Sequence, residues 1–285
     1  MIEVEQLRRN YGDFTAVDDV SFKIPQGEVV GLLGHNGAGK TTIMKMLTGY
    51  LEPSAGRIAI DGLDMTDHRR EIQQRIGYLP ENCPLYPDMT VLDYLEYRAS
   101  LQGMPEADRP GAIRQAVERT ELQPKALSPI STLSRGYRQR VGVAQAILHT
   151  PKFIILDEPT NGLDPSQIQH MRDLVRELAR HATVLISTHI LQEVEAVCER
   201  VLMMRRGKLA LDARLADLGH ANSLMVALNA TPERAQALLG TVSGVGGVEP
   251  QGEQGGRYRY RLTLGETSAA EVAPNVARTV HEKGL

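Results

Sequence analysis

Short apolar runs at 29–33, 153–156 and 183–186 each lead into a polar or glycine-rich turn and then into positions of helical period. Runs of this kind predict strands in an open, largely parallel α/β sheet. Arg57-Ile58-Ala59-Ile60 followed by Asp61-Gly62 reads instead as a strand closing in a tight turn, so part of the first domain is expected to be antiparallel. From about 90 to 149 the signals turn helical, starting at Thr90-Val91-Leu92-Asp93, where a hydroxyl and an acid three residues on can satisfy free amides at a helix start. A helical subdomain inside an α/β domain is expected there.

The pattern changes after Leu218, at Gly219-His220-Ala221-Asn222-Ser223, and sets expected domains of 1–218 and 219–285. A strand at 224–228 is followed by Thr231-Pro232, a cap and first-turn proline, and by Gly240 as the helix stop. A second strand near 245–248 joins through 252–256 to Arg257-Tyr258-Arg259-Tyr260-Arg261-Leu262-Thr263-Leu264, whose strict alternation suits a half-buried strand. Ser268 with Glu271 forms a capping box, and Val272, Val276 and Val280 follow at helical spacing. The order is βαββα. It resembles a ferredoxin-like α+β domain without its last strand, which would leave an edge to be covered by further chain or by a partner.

A length of 285 residues agrees with a main domain plus an appendage. The acidic start and the lack of any apolar run near the roughly 20 residues of a membrane span predict a cytosolic chain whose membrane role, if any, goes through a partner. Cys83 and Cys198 are too few and too far apart for a disulfide framework or a zinc site and read as free thiols. A net charge of −3 argues against wrapping nucleic acid. From 221 to 285 there are six basic and six acidic residues, and alternation separates the tyrosines at 258 and 260 from the arginines, so a core face and a wet face explain that strand better than an RNA platform.

Two segments carry chemistry. Gly34-His35-Asn36-Gly37-Ala38-Gly39-Lys40-Thr41 follows an apolar strand and opens a helix beginning with Thr42, the context that a G-x-x-x-x-G-K-[ST] phosphate loop requires. Its glycines let backbone amides converge, the helix adds its positive end, Lys40 would reach the outer phosphates and Thr41 would give its hydroxyl to magnesium. His35 reads as solvent-facing. Asp157-Glu158 ends the run at 153–156, where ligands bind in open α/β sheets; the first acid can hold magnesium through water and the second can orient and deprotonate water, with a helix cap as the bland alternative.

With these in place, Leu133-Ser134-Arg135-Gly136-Tyr137, Asn161-Gly162-Leu163-Asp164, Ser187-Thr188-His189 and Tyr11 complete a resemblance to the ATP-binding cassette (ABC) ATPases over about 2–218. The resemblance implies a P-loop cassette with a mixed sheet and an inserted helical subdomain, binding ATP and Mg2+. In it Tyr11 stacks on adenine, the phosphates lie on Gly34, Asn36, Gly37, Ala38, Gly39, Lys40, Thr41 and Thr42, and Glu158, His189 and Lys40 are catalytic. Ser134 and Gly136, at a helix start that forms a second anion site, would hold the nucleotide of a partner subunit. Three positions depart from the family pattern: Arg135 and Tyr137, where glycine and glutamine are usual, and Glu81 in Ile76-Gly77-Tyr78-Leu79-Pro80-Glu81, where glutamine is common. Glu81 would join Asp157 and Thr41 at the metal. Cys83-Pro84-Leu85-Tyr86-Pro87 is either a buried loop or, as the family implies, part of a groove for a permease's cytoplasmic helix.

The implied function is the ATP-hydrolysing subunit of a transporter, peripheral on the cytoplasmic membrane face, paired with a second copy or a related subunit and with separate permease polypeptides. Glu81 suggests the export-type, gliding-motility or copper-enzyme-maturation branch. A soluble ATPase acting on ribosomes or DNA is the alternative, but such proteins usually carry two cassettes or long coiled-coil insertions.

Overall fold

A computed structural model describes residues 1–218, 223–254, 257–265, 267 and 269–283. The chain divides into two compact units, Met1–Arg214 and Leu215–Leu285. The expected boundary turn at 219–222, the last two residues of the glycine-rich connection at 255–256 and the Ser268 cap lie outside the described residues.

In the first unit a six-stranded sheet has the order Lys208–Arg214, Arg200–Arg205, Val29–Leu33, Thr183–Thr188, Phe153–Asp157, Ile76–Leu79. Its neighbours are parallel except for the antiparallel pair at the Lys208–Arg214 edge, so the sheet is mixed. Val29–Leu33, Phe153–Asp157 and Thr183–Thr188 are buried at every position, as continuous apolar runs with layers on both faces must be. A second, antiparallel sheet orders Phe14–Ile24, Ile2–Tyr11, Ala55–Ile60 and Leu63–Asp64. Its core joins that of the parallel sheet through Val30, Leu32, Ile43 and Phe153.

The helical segment holds Val91–Leu101, Arg109–Arg119 and Arg135–Ile147. Thr90 caps the first by accepting from the Asp93 amide at 3.2 Å. The third packs on Ile76–Leu79 so closely that a Cβ on Gly77 would lie 2.2 Å from the Ala146 carbonyl oxygen. Between these helices, Tyr94 hydroxyl donates to Gln145 at 2.5 Å and Gln145 donates to the Cys83 sulfur at 2.9 Å. The segment 83–87 is mostly exposed, with Tyr86 half exposed and edge-on to Tyr97, which removes the buried-loop reading.

In the second unit Ser223–Leu228, Arg257–Leu264 and Val245–Gln254 form an antiparallel sheet in that order, with helices Pro232–Leu239 and Ala269–Glu282. Tyr260, Leu262 and Leu264 are buried with Leu239, Val272 and Val276, and the arginines at 257, 259 and 261 are exposed, so the alternation divides as expected. Thr231 and Gly240 stand at the N-cap and C-cap of the first helix, with proline in its first turn, as expected; Thr231 makes no side-chain cap bond and Gly240 is right-handed. Among the described residues no helix is long and apolar enough to cross a membrane.

Candidate functional site

Val29–Leu33 runs into the turn 34–39 and then the helix Lys40–Leu47. Gly37 and Gly39 adopt φ of 80° and 103°, and a Cβ on Gly39 would lie 2.7 Å from the Ala16 carbonyl oxygen, so the turn requires glycine there. The helix start has no side-chain cap and no acid in its first turn, which leaves its amides and its positive end to an anion. Asn36 is exposed, Ala38 is buried, and Thr41 and Thr42 are half-buried on the first turn. His35 is exposed, as expected. The Lys40 ammonium donates to the Gly34 carbonyl at 2.7 Å and lies 3.3 Å from Glu158 Oε1, both side chains being almost fully buried.

The two acids stand at the carboxyl end of Phe153–Asp157, beside Ser187 of the next strand. Asp157 Oδ1 accepts from the Ser187 hydroxyl and lies 3.5 Å from Thr41 Oγ1. Asp157 Oδ2 is buried with no hydrogen-bond partner among the described residues. Burial lifts this carboxyl above the usual carboxylate range; the Ser187 and Thr41 hydrogen bonds oppose the shift, and the charges of Glu81 and Glu158 add to it. An orphaned carboxylate oxygen beside a hydroxyl is an oxygen donor set suited to a hard, partly hydrated cation, so the residues present fit magnesium. No cluster of three or more His, Cys, Asp or Glu suited to a metal occurs among the described residues.

Glu158 has φ of 49°, a left-handed conformation that costs a β-carbon residue free energy and must be held by its surroundings. Its amide donates to both the carbonyl and the hydroxyl of Ser187 at 3.1 Å. Its Oε2 lies 2.9 Å from His189 Nδ1. A carboxylate only accepts, so Nδ1 carries the proton and the other ring nitrogen is left for a ligand. Lys40, Thr41, Asp157, Glu158 and His189 therefore form one constellation. Ser187 is the member that the sequence reading missed; its only signal was its place two residues before His189.

The remaining candidates lie outside that constellation. Tyr11 ends its strand, 47% exposed, with the Arg9 guanidinium 4.8 Å from its ring centre. Ser134 caps Arg135–Ile147 by accepting from the Tyr137 amide at 3.4 Å, and Gly136 is buried beneath Gln167. Neither is hydrogen-bonded to the Lys40 constellation among the described residues. Glu81 is exposed and accepts from Asn161 Nδ2 at 3.4 Å, a contact absent from the sequence reading.

Comparison with known proteins agrees with this geometry. The family model described as ABC transporter matches residues 17–161. The chain is 38% identical over 239 residues to the uncharacterised ABC transporter ATP-binding protein YxlF of Bacillus subtilis, covering 84% of this chain and 79% of that one. It is 30% identical, with a TM-score of 0.70, to cbiO1 of Clostridium perfringens, part of the ABC transporter complex cbiONQ; the match covers 76% of this chain and 89% of the other. A bacterial ABC transporter cassette solved as a dimer matches at 25% identity and a TM-score of 0.69, over 75% of this chain and 99% of its own.

Proposed function

The chain belongs to the ABC transporter family as an ATP-binding, ATPase subunit, and from that premise we propose that it works as half of a nucleotide-sandwiching pair that drives a separate membrane permease. The observation that carries the chemistry is the buried pair of Lys40 and Glu158, joined by the exposed His189 and standing beside the Asp157 oxygen that has no partner among the described residues. Lys40 and the helix amides bind the outer phosphates, which draws the ammonium away from Glu158. Glu158, held by Ser187 and His189, then orients a water and accepts its proton, and Asp157 and Thr41 hold magnesium. When bound, the ion neutralises charge that develops on the phosphates. His189, joined to Glu158, places a second polar group at the reacting phosphate.

Each copy would offer a second anion site, at the helix start of Ser134 and Gly136, that its own phosphate loop does not use. That supports the pairing, as does the dimeric state of a structural relative. Tyr11 would stack on adenine and Glu81 would approach the metal when the helical segment turns inward. A groove lined by the exposed Tyr50 with Tyr78, Arg98, Leu101, Gln145 and His149 is suited to an amphipathic permease helix. This reading makes the subunit peripheral on the cytoplasmic membrane face, and Glu81 favours the export-type, gliding-motility or copper-enzyme-maturation branch. Residues 1–218 would be the cassette and 219–285 an accessory domain for regulation or dimer contact. The ribosome- or DNA-acting alternative gains nothing from these relatives, which are transporter components by name. Lys40→Ala should abolish hydrolysis; undiminished activity in that variant would overturn the site, and co-purification with RNA or DNA in place of an integral membrane protein would overturn the transport role.

A further inference from the structure

The signature segment of this chain holds an arginine where its family usually has glycine, and the structure shows what that side chain touches. Gly162 has φ of 71°, and a Cβ there would lie 2.4 Å from Arg135 Cζ and 2.5 Å from its Nη1, so the guanidinium rests directly on the glycine backbone. The reverse contact lies one residue along: a Cβ on Gly136 would lie 2.6 Å from Gln167 Cδ. Gln167 is fixed in turn, because its amide donates to the Asp164 cap at 2.9 Å. Two side chains thus clasp the start of Arg135–Ile147 to the loop 161–164 and the helix Pro165–Ala179 of the same subunit.

Arg135 is exposed and forms no ion pair among the described residues. A cation in the first turn of a helix opposes the helix dipole, so helix stability does not explain its presence. The loop on which it rests reaches both acids at issue: the Asn161 amide donates to the Glu158 carbonyl at 3.1 Å, and Asn161 Nδ2 donates to Glu81. We infer that Arg135 is a positioning residue that acts through Gly162 and Asn161, so that engagement of the signature segment by the partner's nucleotide sets the placement of Glu158 and Glu81 in its own subunit. The planar guanidinium suits this role, since it lies flat across a glycine where an ammonium on a flexible stem does not. A competing role would be direct charge on the partner's phosphates.

This inference rests on Glu158 as the catalytic base, so the experiment reads both. Steady-state ATP hydrolysis is measured for the full chain as Arg135→Ala, Arg135→Lys, Asn161→Ala and the Arg135→Ala/Asn161→Ala double variant, with Glu158→Gln as reference. ATP-dependent pairing is read by sizing in the Glu158→Gln background. The clasp requires kcat to fall roughly tenfold to a hundredfold in both Arg135 variants, the scale of a slightly misplaced reacting group, with KM for ATP and pairing unchanged. It also requires the Arg135→Ala penalty to be smaller in the Asn161→Ala background than in wild type, because the side-chain route to Glu81 is then already cut while the Asn161 backbone amide still reaches Glu158. Rescue by Arg135→Lys with pairing weakened in Arg135→Ala would assign the charge role instead, and additive losses or wild-type kcat would likewise overturn the clasp. Full hydrolysis by Glu158→Gln would sink the site reading itself, a result distinguishable from all of these.

Discussion

Glu158→Gln tests the resting state of the site as well as its chemistry. Lys40 and Glu158 face each other at 3.3 Å with side chains only 6% and 7% exposed. At an effective dielectric near 20, Coulomb's law gives about 5 kcal/mol for unit charges at that distance. Removing one member of a buried pair leaves the other uncompensated, but the Gly34 carbonyl still accepts from Lys40 at 2.7 Å and the new amide oxygen still points at it, so about 2–3 kcal/mol is the expected loss. For a unit of this size that lowers the nucleotide-free melting temperature by about 5–10 °C. ATP binding must break the same pair, so the free energy reappears in binding: the variant should hold ATP about 30- to 150-fold more tightly while hydrolysis slows, since an amide accepts a proton poorly. Thermal unfolding with and without ATP, together with equilibrium binding, measures both halves. A variant that melts at or above the wild type without nucleotide, and binds ATP no better, would show that the ion pair does not govern the resting site. It should also accumulate as an ATP-bound pair in sizing experiments.

Three further outcomes follow from single residues. Burial raises the Asp157 carboxyl, so the folded chain keeps that proton to higher pH than the unfolded one; the linked stability is complete below the unfolded value and is lost as pH rises through the raised folded value. Asp157→Asn should therefore melt higher than wild type at neutral pH and lose hydrolysis, and an unchanged dependence of melting on pH between acid and neutral conditions would refute the reasoning. Glu81→Gln should shift the magnesium dependence of hydrolysis and the permease's stimulation more than ATP affinity without metal, because a carboxylate near phosphates repels them until the cation is present; identical magnesium titrations and equal stimulation would reduce Glu81 to a loop residue. Gly39→Ala should cost about 1–3 kcal/mol and ATP binding, since it combines a φ of 103° with the contact to the Ala16 carbonyl, and it should be worse than Gly37→Ala, which meets nothing within 4 Å; melting temperatures of the two variants decide.

Three of the parallel strands were legible because their signal is local. Val29–Leu33, Phe153–Asp157 and Thr183–Thr188 are buried on both faces and so appear as unbroken apolar runs. The two longest strands of the first unit, Ile2–Tyr11 and Phe14–Ile24, gave no such signal. Gln6 and Asp19 take positive φ, and the pairing shifts register between Val4 and Leu7, between Leu7 and Arg9 and again between Arg9 and Asn10, so the two-residue alternation restarts before it becomes readable. The hairpin Arg200–Arg205 and Lys208–Arg214 was missed as well, although Arg206 and Gly207 at φ of 50° and 79° form the kind of turn that the sequence marks only by one glycine.

Site residues divide along the same line. Lys40, Thr41, Asp157 and Glu158 sit in contiguous motifs and could be read directly. Ser187 depends on register, since it faces Asp157 only because Leu156 pairs with Ile186 in parallel strands. The departures from the family pattern are the stronger case. Glu81 and Arg135 are 54 positions apart, and as substitutions they look unrelated. In the fold they meet on neighbouring residues of one loop, Glu81 through Asn161 and Arg135 through the backbone of Gly162, while that loop's own amide is bonded back to Glu158. A carboxylate in place of an amide alters the charge that the loop presents to the metal, and a guanidinium in place of a hydrogen atom alters how firmly the loop is held. Because both act on the same few atoms, restoring glutamine at 81 should change the penalty for losing Arg135, whereas two independent substitutions would leave it unchanged.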